Sequence, residues 1–288
     1  MIIKLIKTNI TTLIKYMAMY LSSFTTFACV WLSFISWDDM EIDSKIIRII
    51  ILLVIIVLAF ISAIFTVVVK KTKKVFGDTN KGLTLCYGDI IKLGFPKRKT
   101  TKHIIVIPVN RCFDLSCENN LISEKSIHGQ WINKYITSKK IRTELHQKIE
   151  HILANQKVGY IQLDAADKKC GYLKRYEPGT IVELKETNGV IFYLWGVSEL
   201  DCDLKANCID IDYFKGVQNL IEYYDAHGQC LDLYCPVFGD HIIRPTKSTD
   251  NMLHFMISLF KINEPKIHGN IHIVVYKHKK KEISIFDY

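Results

Sequence analysis

The N-terminal quarter of the chain contains two long stretches without a charged residue. The first runs from Tyr16 to Trp37 and the second from Ile49 to Val69. An α-helix rises about 1.5 Å per residue, so each stretch is long enough to cross the roughly 30 Å hydrocarbon core of a bilayer. The pattern therefore predicts a transmembrane hairpin within residues 1–74, with helices at about 16–37 and 49–69. For the first stretch, a cleaved signal peptide is disfavoured by its length and by the lack of a small-x-small cleavage site.

The charges that flank these stretches indicate how the hairpin is oriented. Lysines lie before the first stretch and after the second, whereas acidic residues dominate the segment between them. Because positively charged flanks remain in the cytoplasm, the pattern predicts a multi-pass protein of the inner (cell) membrane. Both termini and the domain that follows the hairpin are expected in the cytoplasm.

Small and hydroxyl-bearing residues recur along the first helix at steps of three and four. They are Ala18, Ser22, Thr25, Cys29, Ser33 and Ser36. This spacing places them on one helix face, and such residues allow helices to approach closely in lipid. The pattern favours packing of this face inside one hairpin, and packing between hairpins of several chains is the alternative.

Strand-like and helix-like segments alternate from residue 75 to the C-terminus. Short apolar runs predict strands at 83–89, 102–110, 229–238, 268–277 and 282–288, and Thr187-Asn188-Gly189 predicts a hairpin between two further strands. Amphipathic periodicity predicts helices at about 129–157, 210–227 and 248–262. This alternation predicts a cytoplasmic domain over residues 75–288, an α/β fold built as a three-layer α/β/α sandwich.

Two lysine-rich segments border the predicted domain. Residues 70–82 are expected to form a linker, and the KHKKK run at Lys277–Lys281 is expected to be a solvated hairpin turn. Residues 70–288 hold 33 Lys and Arg against 25 Asp and Glu, which is consistent with an anionic partner. The lysines are dispersed along the chain, so they do not form a nucleic-acid signature.

None of the nine cysteines has CxxC spacing, so neither a zinc site nor another bound metal is predicted.

Candidate binding residues follow several of the predicted strands. In an open α/β sheet, ligands bind beyond the carboxyl ends of parallel strands. The residues at those positions are Asp89, Asn110, Gly239, Asp240, His241 and Arg244, together with the glycine-containing loops SIHGQ (126–130) and YEPGT (176–180). A glycine, exposed backbone amides, a helix N-terminus and an arginine are the components of an anion site.

Taken in order, these segments resemble a macro domain, the ADP-ribose-binding α/β/α module. The resemblance rests on GDI at Gly88 to Ile90, IIVIPVN at Ile104 to Asn110, IHGQ at Ile127 to Gln130 and PVFGDHIIRP at Pro236 to Pro245. With the predicted hairpin, the phrases PVNRCFD, SIHGQWINKY and KRYEPGTIVEL resemble the membrane-anchored macro-domain effectors of type II Thoeris anti-phage defence. The resemblance implies ligand-binding roles for Asp89, Ile90, Asn110, His128, Gly129, Gln130, Gly179, Thr180, Phe238, Gly239, Asp240 and Arg244.

The resemblance also implies a function. In that family a partner TIR-domain protein makes an ADP-ribose-type signal from NAD, a histidine conjugate in the type II branch. The macro domain binds this nucleotide messenger, the chains form homo-oligomers, and membrane disruption leads to abortive infection. No cofactor beyond this ligand is expected. The glycine triplet and the double-Asn pattern of catalytic macro domains are missing, so binding without turnover is expected and no catalytic residue is assigned.

Two alternatives from other functional classes remain at this point. One is a membrane-anchored ADP-ribosyl hydrolase or deacylase, in which Asn110 or His128 would position a water. The other is a membrane-tethered scaffold or RNA-binding module. The positive charge permits the second, but aromatic residues interleaved with basic ones, which single-stranded RNA binding favours, are not evident.

Overall fold

The structure is a computed structural model that describes residues 2–34, 45–186, 188–238 and 249–288. The chain divides into two compact units, each described separately. One unit comprises Met1–Thr72 together with His278–Tyr288, and the other comprises Lys73–Lys277. The predicted boundary near residue 75 stays a prediction.

The helices and strands follow one another along the chain in a mixed order. The helices are α1 (Ile2–Thr8), α2 (Ile10–Leu32), α3 (Lys45–Val69), α4 (Ile90–Gly94), α5 (Ile127–Tyr135), α6 (Lys139–Gln156), α7 (Asp210–His227) and α8 (Thr249–Ile262). The strands are β1 (Thr72–Gly77), β2 (Gly82–Gly88), β3 (His103–Asn110), β4 (Tyr160–Gln162), β5 (Lys174–Tyr176), β6 (Thr180–Lys185), β7 (Val190–Leu200), β8 (Ala206–Asn207), β9 (Asp232–Pro236) and β10 (Asn270–Tyr276).

Helices α2 and α3 are both long and apolar enough to cross a membrane. Helix α2 begins at Ile10 and ends at Leu32, so the predicted limits of about 16–37 differ from it at both ends. Lys15 ended the charge-free stretch, yet a lysine near a membrane surface extends its amine out of the lipid and does not interrupt the helix. The hairpin contains a hydrogen bond between the Tyr20 and Thr66 hydroxyls at 2.7 Å.

The small-residue faces of the two long apolar helices differ. On α3, Ala59 and Ala63 are completely buried. Of the predicted face, Ala18, Ser22 and Cys29 on α2 and Ser33, the residue that caps its C-terminus, are exposed. The preferred prediction, that this face packs inside a single hairpin, is therefore wrong for these four residues. Ser36 lies outside the described residues.

The domain unit is built on a mixed sheet, as predicted. The strand order is β1-β2-β10-β9-β3-β7-β6, with β8 also paired to β7. Strands β2, β10, β9, β3 and β7 run parallel, whereas β6 runs antiparallel to β7. Strand β3 is buried along nearly its whole length, as its continuous apolar sequence predicts. A separate antiparallel ribbon is formed by β4 and β5.

Helices cover both faces of this sheet and give the predicted three layers. On one face, Trp131 of α5 and Ile149 of α6 join the cluster that contains Ile107 and Phe192 of the sheet. On the other face, the indole Nε1 of Trp195 donates to the carbonyl of Gly216 in α7 at 3.0 Å. A Cβ on Gly216 would lie 3.2 Å from Val197, so the glycine allows α7 to pack closely on β7.

Several predicted elements differ from the structure. The predicted linker contains β1, which occupies the sheet edge beside β2. The single helix predicted over 129–157 is two helices, because Ile136 is extended and Ser138 starts α6 by accepting a hydrogen bond from the Ile141 amide. The closing strand predicted at 282–288 is absent from the described chain, where Ile285–Asp287 forms a 3-10 turn. Lys277–Lys281 is also a 3-10 helix rather than a hairpin turn.

Other predictions fall on residues that the structure does not describe. These are the acidic segment between the membrane helices, Thr187 in the β6–β7 turn, and the loop residues Gly239, Asp240, His241 and Arg244. The predicted hairpin itself is confirmed by the antiparallel pairing of β6 and β7.

Candidate ligand-binding edge of the sheet

The parallel strands end along one side of the sheet, which we call the carboxyl edge. There the last residue of β2, Gly88, pairs with Tyr276 at the end of β10. Strand β6 runs in the opposite direction, so its first residue, Thr180, lies at the same edge, opposite Gly196. This topology places the residues that follow β2, β3 and β9 along the same edge as those that precede β6, with β10, β9, β3 and β7 between β2 and β6. The described members of the predicted site, from separate parts of the sequence, therefore lie along one edge of the sheet.

Asp89 and Ile90 lie at the carboxyl end of β2. Asp89 is half-buried and caps the short helix α4, because its Oδ1 accepts a hydrogen bond from the Lys92 amide at 3.2 Å. Ile90 is buried in the core cluster beneath. The cap fixes the direction in which the Asp89 carboxylate leaves the strand.

Asn110 ends β3 at a β-bulge, where the pairing with β7 skips one residue. The bulge turns the end of the strand, as is common beside functional sites. Both ends of the Asn110 amide contact Asp114: Nδ2 donates to Oδ2 at 2.7 Å, and Oδ1 accepts from the Asp114 backbone amide at 3.0 Å. Asn110 therefore also braces the loop that follows it. Phe113 in that loop has a positive φ of 52°, a strained conformation for a bulky residue.

A buried ion pair holds this loop from the other side. The Lys168 ammonium lies 2.6 Å from Asp114 Oδ2, and both side chains are fully buried. Lys168 also donates to the Tyr172 carbonyl at 2.7 Å, while Asp114 Oδ1 accepts from the Tyr172 amide at 2.6 Å. This pair is not predictable from local sequence patterns, because its two members lie 54 positions apart.

Arg111 joins the end of β3 to the segment that precedes β6. Its Nε donates to the Tyr176 carbonyl at 2.8 Å, and its own carbonyl accepts from the Tyr176 amide at 3.0 Å. The guanidinium pairs with Asp212 in the first turn of α7 at 3.0 Å and lies 3.6 Å from Glu199. Two carboxylates thus compensate its charge, so Arg111 orders the edge rather than offering an unpaired cation.

His128 lies in the first turn of α5 and is buried. Burial lowers the pKa of the imidazole to about 3, against a smaller opposing effect of a hydrogen bond to the Asp114 backbone. The ring is therefore neutral at physiological pH. Within the described part of the chain, its Nε2 has no hydrogen-bond partner, and a buried polar atom of this kind is suited to a ligand contact.

Gly129 and Gln130 belong to the same helical turn, so the predicted IHGQ loop is the start of a helix. The Gly129 amide donates to the Ser126 cap at 3.0 Å. A Cβ on Gly129 would collide with the Ser123 carbonyl, which explains the glycine. Gln130 is exposed and its Nε2 donates to the Lys125 carbonyl at 2.9 Å.

Gly179 and Thr180 form the turn into β6. Gly179 has a φ of 83°, and a Cβ there would meet the backbone of Gly216 and the side chain of Asn219. The Thr180 hydroxyl donates to the Glu177 carbonyl at 2.7 Å. The turn therefore presses against α7, and only glycine satisfies both its conformation and its spacing.

Phe238 follows β9 and is buried in an aromatic cluster. Its ring stacks on Tyr213 at a centroid distance of 5.8 Å and packs edge-on against Trp195 at 5.4 Å. The Tyr213 hydroxyl donates to the Phe238 carbonyl at 3.4 Å, and burial raises the pKa of Tyr213 well above its usual value. The phenol therefore stays neutral.

A cleft of about 560 Å³ lies beside this cluster, between the first turns of α7 and α8. Its walls are formed by Asp210, Ile211, Tyr213, Phe214, Asn251, Met252 and Phe255. Tyr213 therefore contributes to both the cleft and the Phe238 stack. Aromatic and apolar walls with a few polar groups are typical of small-molecule sites.

The model of a known family matches residues 83–276, described as the macro domain of the Thoeris protein ThsA. The chain belongs to the Thoeris ThsA macro-domain family. The match starts within β2 and ends at the last residue of β10, so it spans the parallel strands and the carboxyl edge. Membership supports a role in anti-phage defence that involves a macro domain, in a system whose signal comes from a TIR partner.

Two individual proteins are similar to this chain. The chain is 25% identical over 260 residues to the Thoeris protein ThsA of Bacillus amyloliquefaciens (strain Y2), covering 88% of this chain and 82% of the relative. A solved macrodomain mutant from Oceanobacillus iheyensis aligns with a TM-score of 0.40 and 11% identity, covering 74% of this chain and 93% of the other. Among the described residues of this ThsA-family chain, no group of three or more His, Cys, Asp or Glu is arranged to hold a metal ion.

Proposed function

We propose that this chain is a membrane-anchored effector of anti-phage defence whose macro domain binds an ADP-ribose-derived signal at the carboxyl edge. The signal is a histidine conjugate of ADP-ribose, made from NAD by a partner TIR-domain protein. Binding drives homo-oligomerisation, and the assembled hairpins disrupt the inner membrane and cause abortive infection. The observation that carries the proposal is the position of the described ligand residues along one edge of the sheet, within the family-matched segment.

The chemistry of the carboxyl edge supports the assignment of subsites. Asp89 accepts hydrogen bonds from the adenine amino group, and the α5 N-terminus and the loop containing Gly239, Asp240 and Arg244 hold the two phosphates. Asn110 lies beside the distal ribose. The distal histidine moiety contacts His128, Gln130 and Thr180.

Binding without turnover is supported by the state of the two residues that a hydrolase would use. Asn110 is hydrogen-bonded through both ends of its amide to Asp114. His128 is buried, with a pKa of about 3, so it is a poor general base at neutral pH. A neutral imidazole with a buried Nε2 is suited to recognise a ligand, and we assign His128 this role.

The hairpin supports the membrane part of the proposal. Two apolar helices are joined to the domain, with both termini and the domain in the cytoplasm of a multi-pass inner-membrane protein. The exposed face of α2 that contains Ala18, Ser22 and Cys29 is suited to helix–helix packing between chains, because small residues permit close approach in lipid.

Calorimetry of the full-length chain in detergent micelles tests the proposed function. ADP-ribose and histidine–ADP-ribose are titrated separately, and the size of the protein is measured in each mixture. We expect much tighter binding of the conjugate and a shift to larger species. Equal weak binding of both ligands, or no binding, would contradict the proposal, and sustained release of ADP-ribose from modified protein would favour a hydrolase.

A further inference from the structure

The C-terminal tail, His278–Tyr288, belongs to the same compact unit as the membrane hairpin. Within it, Ile283, Ser284 and Ile285 are buried. A segment that merely trailed from the last strand would leave these side chains in solvent. The tail is therefore a packed part of the structure.

Lys280 of the tail caps the end of α3. Its ammonium donates to the Val68 carbonyl at 2.7 Å and to the Lys70 carbonyl at 3.3 Å. The last carbonyls of a helix have no partner within the helix. A lysine at this end satisfies them and is favoured by the helix dipole.

Two further contacts tie the tail to the other helices of the hairpin unit. The Thr8 hydroxyl at the end of α1 donates to the Lys281 carbonyl at 2.6 Å. Phe286 packs against the cluster formed by Leu13 of α2 and Ala63 and Val67 of α3. The tail thus contacts all three helices.

The tail is also continuous with the centre of the domain sheet. It starts two residues after β10, which lies between β2 and β9 in the sheet. The residues that follow those two neighbouring strands include Asp89 and Phe238, both assigned to the ligand. Only Lys277 lies between the last residue of β10 and the tail.

We propose that the C-terminal tail is an autoinhibitory clamp that holds the hairpin in its single-chain arrangement until a ligand occupies the carboxyl edge. The inference rests on the proposed function and adds the element that connects binding to the membrane. Release of the tail removes Phe286 from Leu13, Ala63 and Val67. These residues then become a surface for a second copy of the chain, where the small side chain of Ala63 permits close helix packing.

The electrostatics of the clamp suit a contact that opens. Burial and the neighbouring Lys71 ammonium both lower the pKa of Lys280. The hydrogen bonds of Lys280 therefore form against repulsion from a like charge. Movement of the tail away from Lys71 would relieve this repulsion.

The test uses full-length chains, labelled with donor or acceptor fluorophores and reconstituted together in liposomes that contain a self-quenched dye. Lys280→Met removes the cap, and Lys277→Met makes the same charge change at an exposed neighbouring position. Phe286→Ala removes the packed ring, and Phe286→Leu keeps an apolar side chain there. Energy transfer measures association, and dye release measures membrane damage.

Without any signal, we expect Lys280→Met to associate about ten- to hundredfold more strongly than the wild type, the effect of losing a hydrogen bond that involves a charged group. Phe286→Ala should also associate and release dye, whereas Lys277→Met and Phe286→Leu should resemble the wild type. Association of Lys280→Met and Phe286→Ala no stronger than that of the wild type would overturn the clamp. Failure of the wild type to bind histidine–ADP-ribose would instead refute the proposed function. The clamp would still be tested by comparing association of the variants and the wild type without any signal.

Discussion

The ammonium of Lys168 lies 2.6 Å from Asp114 Oδ2, with both side chains excluded from solvent. The same carboxylate oxygen accepts a hydrogen bond from Asn110. This pair therefore fixes the loop that follows β3, at the edge where we place the ligand. Breaking it affects both the stability of the domain and the shape of the site.

Lys168→Met should destabilise the domain by about 3–5 kcal/mol, because it leaves the Asp114 charge buried without its partner. Urea unfolding, followed by the fluorescence of the buried Trp131 and Trp195, measures the change. Lys169→Met is the matched control, since the Lys169–Asp203 pair is exposed, and it should leave the unfolding midpoint unchanged. Equal midpoints for both variants would show that the buried pair does not stabilise the loop.

Gly179→Ala should destabilise the domain by about 1–2 kcal/mol or more, because alanine is strained at a positive φ and its Cβ would meet α7. Affinity for the signal should fall as well, since the turn carries Thr180. Gly159→Ala is the control, because its added Cβ would meet only the movable Glu177 side chain. Thermal unfolding and calorimetry compare the two, and a Gly179→Ala chain as stable as Gly159→Ala would contradict the packing argument.

Asp89→Ala should reduce signal affinity about ten- to hundredfold, the value of a lost hydrogen bond to a charged group. Part of any stability loss will come from the helix cap, typically about 1 kcal/mol. Asp78→Ala controls for the loss of a carboxylate that accepts backbone hydrogen bonds. Asp78 accepts them from the amides of Asn80 and Lys81 in the turn after β1. Retained wild-type affinity in Asp89→Ala, measured by calorimetry, would remove Asp89 from the site.

His128 should make the stability of the domain depend on pH. Its pKa falls from 6.5 to about 3 on folding, so the unfolded chain binds the proton more readily. The stabilisation is complete above about pH 6.5 and declines as the pH falls towards 3. On acidification from pH 7.5 to 5.0, His128 alone should lower the free energy of unfolding by about 2 kcal/mol, since each pKa unit corresponds to about 1.4 kcal/mol.

Unfolding of the wild type and of His128→Gln at the two pH values measures this contribution, because the two chains differ at this residue alone. His128→Gln should lose less stability on acidification. His151→Gln, at an exposed position on α6, should behave as the wild type. Parallel losses in His128→Gln and the wild type would contradict the buried, neutral state of His128.

Local sequence patterns were sufficient to predict much of the fold. Three elements could be predicted from local patterns alone. They are β3 from its continuous apolar run, the β6–β7 hairpin from its turn residues, and α7 from its amphipathic periodicity. The helix predicted over 129–157 failed because Ile136 and the Ser138 cap interrupt it, although the apolar spacing continues. Ser, Thr and β-branched residues favour such breaks.

The failed predictions near the C-terminus have a topological cause. The segment 282–288 has strand-like composition, and a hairpin through Lys277–Lys281 would pair it with β10. However, β10 is hydrogen-bonded to β2 on one side and β9 on the other, so neither side of β10 is available. Strand order is a long-range property, which local patterns do not contain.

Only the residues of the candidate site that lie at strand ends could be predicted from the sequence. Asp89 follows a strand, Asn110 ends one and Thr180 begins one, so their positions at the carboxyl edge could be inferred from the sequence. The contacts of Asp114 with Lys168 and of Arg111 with Asp212 join distant segments. No periodicity or motif connects those residues, and only the folded chain brings them together.

Hydrogen–deuterium exchange of the full-length chain, with and without histidine–ADP-ribose, tests the central claim most directly. We predict slower exchange on binding in residues 88–94, 110–130 and 176–181, with little change at the opposite end of the sheet around His103 and Asn270. Protection confined to that opposite end, or no protection at a ligand concentration that saturates the chain, would contradict a signal site at the carboxyl edge.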